Sequence, residues 1–156
     1  MKQSVIFRQA LLLVALAAAA CSSGGGEEEY SRFVHLPGHQ WLRSVPCYFK
    51  PCAEGDGMGI KLSVRHDNEY EYASAHFTVD VLDGDSLVLR RTVAMPLADR
   101  NGNWTSEGFG SLYQCQVPVA DGVRLDSASV ILVWQSMPCD TLSHISEVGI
   151  DITRNK

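Results

Sequence analysis

Residues 76–95, HFTVDVLDGDSLVLRRTVAM, decide the fold class, because they predict two β-strands joined by a tight turn. Apolar and polar residues alternate from residue 76 to residue 81, which is the period of a strand with one buried face. The Asp83-Gly84 pair is typical of the type I′ turn that joins antiparallel strands. Apolar residues are frequent again at residues 87–95, where we expect the returning strand. The stretch is therefore a predicted β-hairpin.

Strand-like periodicity continues over most of the sequence, and no segment of ten or more residues beyond the N-terminal region shows helical periodicity. About eight short strands in one domain predict an all-β fold, a single antiparallel β-sandwich of jelly-roll-like order. Residues 130–134, VILVW, are apolar at every position and are expected to be covered on both faces. The predicted strands lie at residues 30–36, 45–49, 60–65, 76–81, 87–95, 112–119, 130–134 and 148–153.

The N-terminus predicts export and a lipid anchor. Residues 10–20 form an unbroken apolar run with the length of a signal-peptide core, too short to span a membrane. Three alanines then precede Cys21, a pattern similar to the lipobox of bacterial lipoproteins. We therefore predict a lipoprotein signal peptide at residues 1–20 and attachment of acyl chains such as palmitate to Cys21. A plain secretory signal cleaved near residue 20 is the alternative.

Residues 21–29, CSSGGGEEE, predict a flexible acidic tether, because Gly, Ser and Glu cannot bury apolar surface. The folded domain is then expected at residues 30–156. An acidic patch after a lipidated cysteine resembles the signal that exports lipoproteins to the cell surface in Bacteroidota, although a spacer facing the periplasm has the same composition. We expect a lipid-anchored protein of the cell envelope, most simply in the outer membrane, with its orientation left open.

Charge and length exclude several classes of protein. Cleavage after residue 20 would shorten the 156-residue chain to 136 residues, which suits one domain. The removed segment holds two basic residues and no acidic one, so eleven basic and 18 acidic side chains would leave a net charge of −7. An acidic chain without a basic run is not expected to bind nucleic acid. Its contact with the membrane would come through the acyl chains.

Four cysteines remain after Cys21, and an even number in an exported protein predicts disulfides. Of the three possible connectivities we favour Cys47 with Cys52, which closes a short loop, and Cys115 with Cys139, expected on neighbouring strands. Free thiols are the alternative.

No metal, cofactor or catalytic site is predicted. Asp99, Asn101 and Asn103 have the spacing that begins a calcium loop, but the glycine and the final acidic residue are out of register, so a polar turn is the better interpretation. The pairs His35/His39 and Cys47/Cys52 match no common zinc module. Asp140, Ser143 and His144 are the types of a hydrolase triad, yet they lie in one loop without a nucleophile motif.

Three short motifs are candidates for modification. Each has Asp, then Ser or Thr, then an aliphatic residue, and each lies near a predicted turn. The pattern resembles the acceptor of general O-glycosylation in Bacteroidota. The candidate acceptors are Ser86, Ser127 and Thr141.

The longest irregular run is residues 97–113, LADRNGNWTSEGFGSLY, in which three glycines permit turns between aromatic residues. We expect Trp104 and Phe109 to fold back onto the sandwich. The run resembles the gliding-motility lipoprotein family GldH of Bacteroidota, through Asp99, Gly102, Trp104, Gly108, Phe109 and Gly110. Further matching residues are Trp41, Asn68, Tyr70, Tyr72 and the run 147–149, so the similarity covers most of the chain.

This resemblance implies a small envelope lipoprotein of the gliding machinery and its associated secretion system, with no known catalytic residues. We therefore predict a non-enzymatic protein that acts by contact with envelope proteins of that machinery. A surface glycan-binding module is the alternative, since exposed aromatics commonly hold carbohydrate. It would require a coplanar exposed pair among Trp41, Trp104, Phe109 and Tyr113.

Overall fold

The computed structural model describes residues 27–155, and it confirms the predicted all-β sandwich. One turn of 3₁₀ helix, Pro37–His39, interrupts a chain that is otherwise strands and connections. The strands are β1 Glu27–His35, β2 Gln40–Leu42, β3 Cys47–Phe49, β4 Gly55–Asp67, β5 Ser74–Asp83, β6 Ser86–Pro96, β7 Gly108–Phe109, β8 Leu112–Leu125, β9 Ser129–Gln135, β10 Thr141–Ser143 and β11 Ile145–Arg154.

Eight of the strands form a jelly roll. The five-stranded sheet has the order β1-β11-β4-β8-β7, and the four-stranded sheet has the order β3-β9-β5-β6. The antiparallel pairs are nested, since β1 pairs with β11, β3 with β9, β4 with β8 and β5 with β6. Nested pairs spread over two sheets are the arrangement expected of this fold. The other strands, β2, β7 and β10, have two or three residues, too few to show a period.

Alternation along the strands builds the core between the two sheets. Phe77, Val79 and Val81 of the predicted hairpin are all fully buried, and so are the apolar residues at alternate positions of β4 and β11. Strand β9 departs from the prediction. Its residues 129, 131, 133 and 135 are buried while those between them are half-buried, so only one face of β9 is fully covered.

The domain begins earlier than predicted, because Glu27, Glu28 and Glu29 belong to β1 and not to the tether. The register pairs Glu27 with Arg154 at the end of β11, and the Arg154 guanidinium donates to the Glu29 carboxylate at 2.8 Å. The predicted signal peptide and Cys21 lie outside the described residues. Within residues 27–155 no helix is long and apolar enough to cross a membrane.

The predicted disulfides are absent from the structure, where Cys47, Cys52, Cys115 and Cys139 are all free. Cys47 is buried on β3, whereas Cys52 is exposed, so their side chains do not meet. Cys115 lies on β8 of the five-stranded sheet. Cys139 follows β9 of the four-stranded sheet, so the two are not on neighbouring strands as expected. The Cys115 thiol instead lies 3.2 Å from the Ser106 hydroxyl.

The sandwich has two distinct ends. We call the end where β1 starts the near end. The β5–β6 and β8–β9 turns also lie there, joined by a hydrogen bond from the Gly84 N–H to the Ala128 carbonyl. We call the opposite end, where β1 stops, the far end. The far end holds the 3₁₀ turn, the last residue of β4, the loop at 97–107 and β10. The features described next all lie at the far end.

Candidate functional site

The loop at residues 97–107 is held tightly at the far end. Leu97 is fully buried, and Ala98 forms a β-bridge with Trp104 across the loop. The Asp99 carboxylate accepts the N–H groups of Asn101 and Asn103, at 2.8 and 2.9 Å. These bonds, those of Asn103 foremost, hold the pKa of Asp99 below its usual value. The carboxylate therefore organises a polar turn, as the sequence indicated.

An aromatic cluster, defined by His66, Tyr70, Trp104 and Tyr113, joins this loop to the end of β4. The His66 ring centroid lies 4.7 Å from that of Trp104, 5.5 Å from Tyr113 and 5.6 Å from Tyr70. Trp104 is half-buried and packs against the core, so the prediction for this residue is confirmed in part.

His66 is fully buried at the centre of the aromatic cluster. Its Nδ1–H donates to the Asp67 carbonyl at 2.9 Å, while Nε2 has no hydrogen-bond partner among the described residues. Burial lowers the pKa of His66, against smaller opposing effects of Asp67. Sequence reasoning missed this residue. The signal was present, because His66 continues the buried parity of Ile60, Leu62 and Val64 along β4.

Phe109 contradicts the prediction, since 95% of its surface is exposed. The short β7 pairs Gly108 with Tyr113 and Phe109 with Leu112. The Tyr113 ring covers Gly108 so closely that a Cβ there would lie 2.7 Å from it. Successive residues of a strand face opposite ways, so Phe109 points to solvent.

An apolar cleft of about 530 Å³ opens between the edges formed by β1 and β3. Its rim carries Leu42, Val45 and Tyr48, which are each half-exposed. Trp41 lies beneath them, fully buried, with its ring stacked 5.7 Å from Phe77. We call this surface the far-end cleft. Exposed apolar residues grouped in this way mark contact surfaces more often than single exposed ones do.

A polar cluster of His39, Asp67, Glu69 and His144 lies beside the far-end cleft. The Nδ1 atoms of His144 and His39 lie 3.1 and 3.4 Å from Oδ2 of Asp67. Glu69 Oε2 lies 3.8 Å from His144 Nδ1. Burial alone would raise the pKa of Asp67, but the Glu69 N–H and the two histidines lower it overall. The cluster therefore holds an ionised carboxylate between two imidazoles.

The structure separates the other candidate constellations. His144 contacts Asp67, so no triad with Asp140 and Ser143 is formed by its Nδ1. Cys47 lies in the core and Cys52 on the surface, so the four-ligand set with His35 and His39 is not assembled. Among the glycosylation candidates, Ser86 is exposed at the start of β6, Ser127 is exposed in the β8–β9 turn, and Thr141 is half-buried on β10. Their modification stays a prediction.

The family model described as GldH lipoprotein matches residues 28–152. None of the curated proteins compared with the sequence matches it.

Three solved structures show a remote similarity to the chain. The adhesin domain K1 of Lys-gingipain from Porphyromonas gingivalis shares 13% identity, with 86% of this chain and 87% of that chain covered and a TM-score of 0.42. The exo-β-1,3-galactanase of Phanerochaete chrysosporium, solved with galactose, shares 14% identity with a TM-score of 0.40 over 84% of this chain, which spans 30% of that enzyme. The TNF protein Eiger of S. frugiperda shares 8% identity with a TM-score of 0.35, over 84% of this chain and 90% of that one.

Proposed function

The chain belongs to the GldH lipoprotein family, and from that premise we propose that it acts without catalysis, by binding proteins of the gliding machinery and its associated secretion system. Membership makes it a lipid-anchored protein of the cell envelope, in a family associated with gliding motility and not known for enzymatic activity. We place its acyl anchor at Cys21 and its membrane as the outer membrane. The partner is an envelope protein that presents an apolar segment.

The far-end cleft carries this proposal. Three half-exposed apolar side chains, Leu42, Val45 and Tyr48, surround an opening floored by Trp41. An exposed patch of aliphatic and aromatic residues with few charges has the composition of the core of a protein interface. β3 is also a three-residue edge strand, paired only with β9 among the described strands, so one side of its backbone is open beside the cleft. An extended apolar segment could pair with that edge.

The position of the tether also favours the far-end cleft as the binding surface. The tether joins the domain at Glu27, and the nine-residue β1 extends about 27 Å from there to the far end. A domain held at the near end directs the far-end cleft away from its own membrane, where other envelope proteins are accessible.

Glycan binding receives less support from the structure. Of the four aromatics that could form a platform, Trp41 is fully buried, Trp104 and Tyr113 are half-buried, and Phe109 alone is well exposed. Two coplanar exposed rings are therefore not found among them. We keep protein contact as the single proposal.

Photo-crosslinking in cells tests it. A photo-crosslinking amino acid replaces Tyr48 in the full-length lipoprotein, and a matched variant carries it at Val88 near the opposite end. Both positions are 57% exposed, so they differ in place and not in accessibility. We expect position 48 to capture components of the gliding or secretion machinery that position 88 does not capture. Identical products from the two positions, or none from position 48, would contradict the proposal.

A further inference from the structure

The cluster of His39, Asp67, Glu69 and His144 is unlike the other polar contacts of the domain, because three separate segments bring metal-ligating groups to one point. His39 ends the 3₁₀ turn, Asp67 ends β4, and His144 lies between β10 and β11. One ligating atom from each of Asp67, Glu69 and His144 lies within 4.8 Å of the others. His39 reaches Asp67 as well.

The separations suit a transition-metal ion. Zinc bonds of 2.0–2.2 Å in a tetrahedral site place neighbouring ligand atoms about 3.4 Å apart. Here Nδ1 of His144 lies 3.1 Å from Oδ2 of Asp67 and 3.8 Å from Oε2 of Glu69. Imidazole nitrogens with carboxylate oxygens are ligands of zinc and similar ions, whereas calcium and magnesium favour oxygen alone.

Backbone contacts fix the ligands in advance. The His144 N–H donates to the His39 carbonyl at 2.8 Å, and the Asp67 N–H donates to the His144 carbonyl at 3.1 Å. The Asp67 carboxylate also accepts the Glu69 N–H at 2.9 Å. The four residues therefore form one connected unit, so their side chains need little further ordering to bind an ion.

Both histidines hold a backbone conformation that non-glycine residues disfavour. His39 has φ of 55° and His144 has φ of 68°, and they are the two non-glycine residues of the described chain with positive φ. Such strain persists only where the surroundings impose it, and it is commonest at functional positions. The imidazoles of both residues contact the Asp67 carboxylate.

We propose that Asp67, Glu69 and His144 bind one divalent transition-metal ion of the zinc class, while His39 holds the Asp67 carboxylate in place. Neutral imidazole binds a metal through a nitrogen without a proton, so binding moves the Nδ1 proton of His144 to Nε2 or to water. The ion then links β4 to the β10–β11 corner, and the 3₁₀ turn joins them through the contact of His39 with Asp67. The competing account is an ion pair in which protonated histidines contact Asp67 and no metal binds.

The test is titration of the chelator-stripped, full-length lipoprotein in detergent with Zn²⁺ at neutral pH. Calorimetry gives the stoichiometry, and the melting temperature is followed with Zn²⁺ and separately with Mg²⁺. We expect one Zn²⁺ per chain and a rise in melting temperature with Zn²⁺ that Mg²⁺ does not give, since a ligand of the folded state stabilises it by mass action. Absence of Zn²⁺ binding would overturn the proposal.

Variants identify the ligands. Asn tolerates positive φ better than most residues, so His144→Asn removes the ligating imidazole while keeping the backbone conformation accessible. His76→Asn, at an exposed histidine outside the cluster, and Cys52→Ser, at the exposed thiol, are the controls. We expect His144→Asn to weaken binding at least about tenfold and both controls to leave it unchanged. Equal binding by His144→Asn, or its loss in Cys52→Ser, would place the ion elsewhere, and far-ultraviolet circular dichroism verifies that each variant is folded.

Discussion

The imidazole of His66 and the indole of Trp104 meet at an interplanar angle of 63°, with ring centroids 4.7 Å apart. This contact joins the penultimate residue of β4 to the loop at 97–107. Aromatic pairs of this kind contribute beyond the area that they bury. The loop is therefore part of the folded domain and not an appended segment.

Replacing Trp104 with Ala should destabilise the domain. A fully buried tryptophan would cost about 3–5 kcal/mol, and the half-burial of Trp104 reduces the expected loss to about 2 kcal/mol. Urea denaturation measures the change in the free energy of unfolding. Phe109→Ala, on β7 directly after the loop, is the control; its side chain is almost fully exposed, so it should change stability by less than about 0.5 kcal/mol. An equal loss in both variants would show that Phe109 also packs on the domain.

His66 should make the domain less stable in mild acid. Burial places its folded-state pKa below the ordinary 6.5, so the unfolded chain takes up the proton first as the pH falls. The free energy of unfolding should then decrease below about pH 6.5 and be unaffected by this group above it. The physical cause is burial of the ring, and within residues 27–155 no acceptor is available to a second N–H at Nε2.

Denaturation of wild type and of His66→Leu between pH 5 and pH 7.5 measures this effect. The variant should lose part of the pH dependence, while His76→Gln, at an exposed histidine, should keep it. If the free energy of unfolding falls more steeply in acid for His66→Leu than for wild type, the prediction is contradicted. That result would show that the surrounding aromatic rings stabilise the imidazolium, as cations over ring faces can be stabilised.

The Phe33 ring should make glycine necessary at position 149, because it leaves no room for a side chain there. These residues pair across β1 and β11, and a Cβ at position 149 would lie 2.7 Å from the Phe33 ring. The Arg65 guanidinium covers that ring, with its Cζ 4.1 Å from the ring centroid, and this contact limits where the ring can move. Gly149→Ala should therefore lower the free energy of unfolding by about 1–3 kcal/mol.

A double-mutant cycle separates this clash from other effects of the substitution. In a Phe33→Ala background, Gly149→Ala should cost almost nothing, because its Cβ then meets open space. The coupling between the two positions should be about 1 kcal/mol or more. Additive losses would mean that the backbone at position 149, and not the Phe33 ring, requires glycine.

The sequence carried the fold because strand periodicity is local. Phe77, Val79 and Val81 face the core as their alternation predicted, and the Asp83-Gly84 pair does join two antiparallel strands. The nested order of the strands could be proposed only as a type, since it depends on contacts between residues far apart in the chain. Strands of two or three residues, such as β7, have no period to detect.

The site was harder to predict, for physical reasons that differ between residues. Phe109 was expected inside because it is large and apolar, but its direction depends on Gly108 packing beneath Tyr113, a tertiary contact. Asp67 is 28 residues from His39 and 77 residues from His144 along the chain, so these side chains meet only in the folded domain. The disulfides were predicted from an even number of cysteines in an exported protein. That number contains no information on where each side chain points.

In urea without any reductant, thiol labelling should find four reactive cysteines beyond Cys21. In the native protein, exposed Cys52 should react with iodoacetamide first. Cys47 should stay unlabelled, because burial excludes the reagent and raises the pKa of its thiol to about 12, leaving little of the reactive thiolate. Addition of urea should expose Cys47 and Cys115 together, since both are buried in the same sandwich. Peptide mass spectrometry counts the labels, and Cys52→Ser should abolish the fast phase alone. If Cys47 and Cys52 label only after reduction, the pair forms a disulfide in the envelope, and β3 must then move to bring the two side chains together.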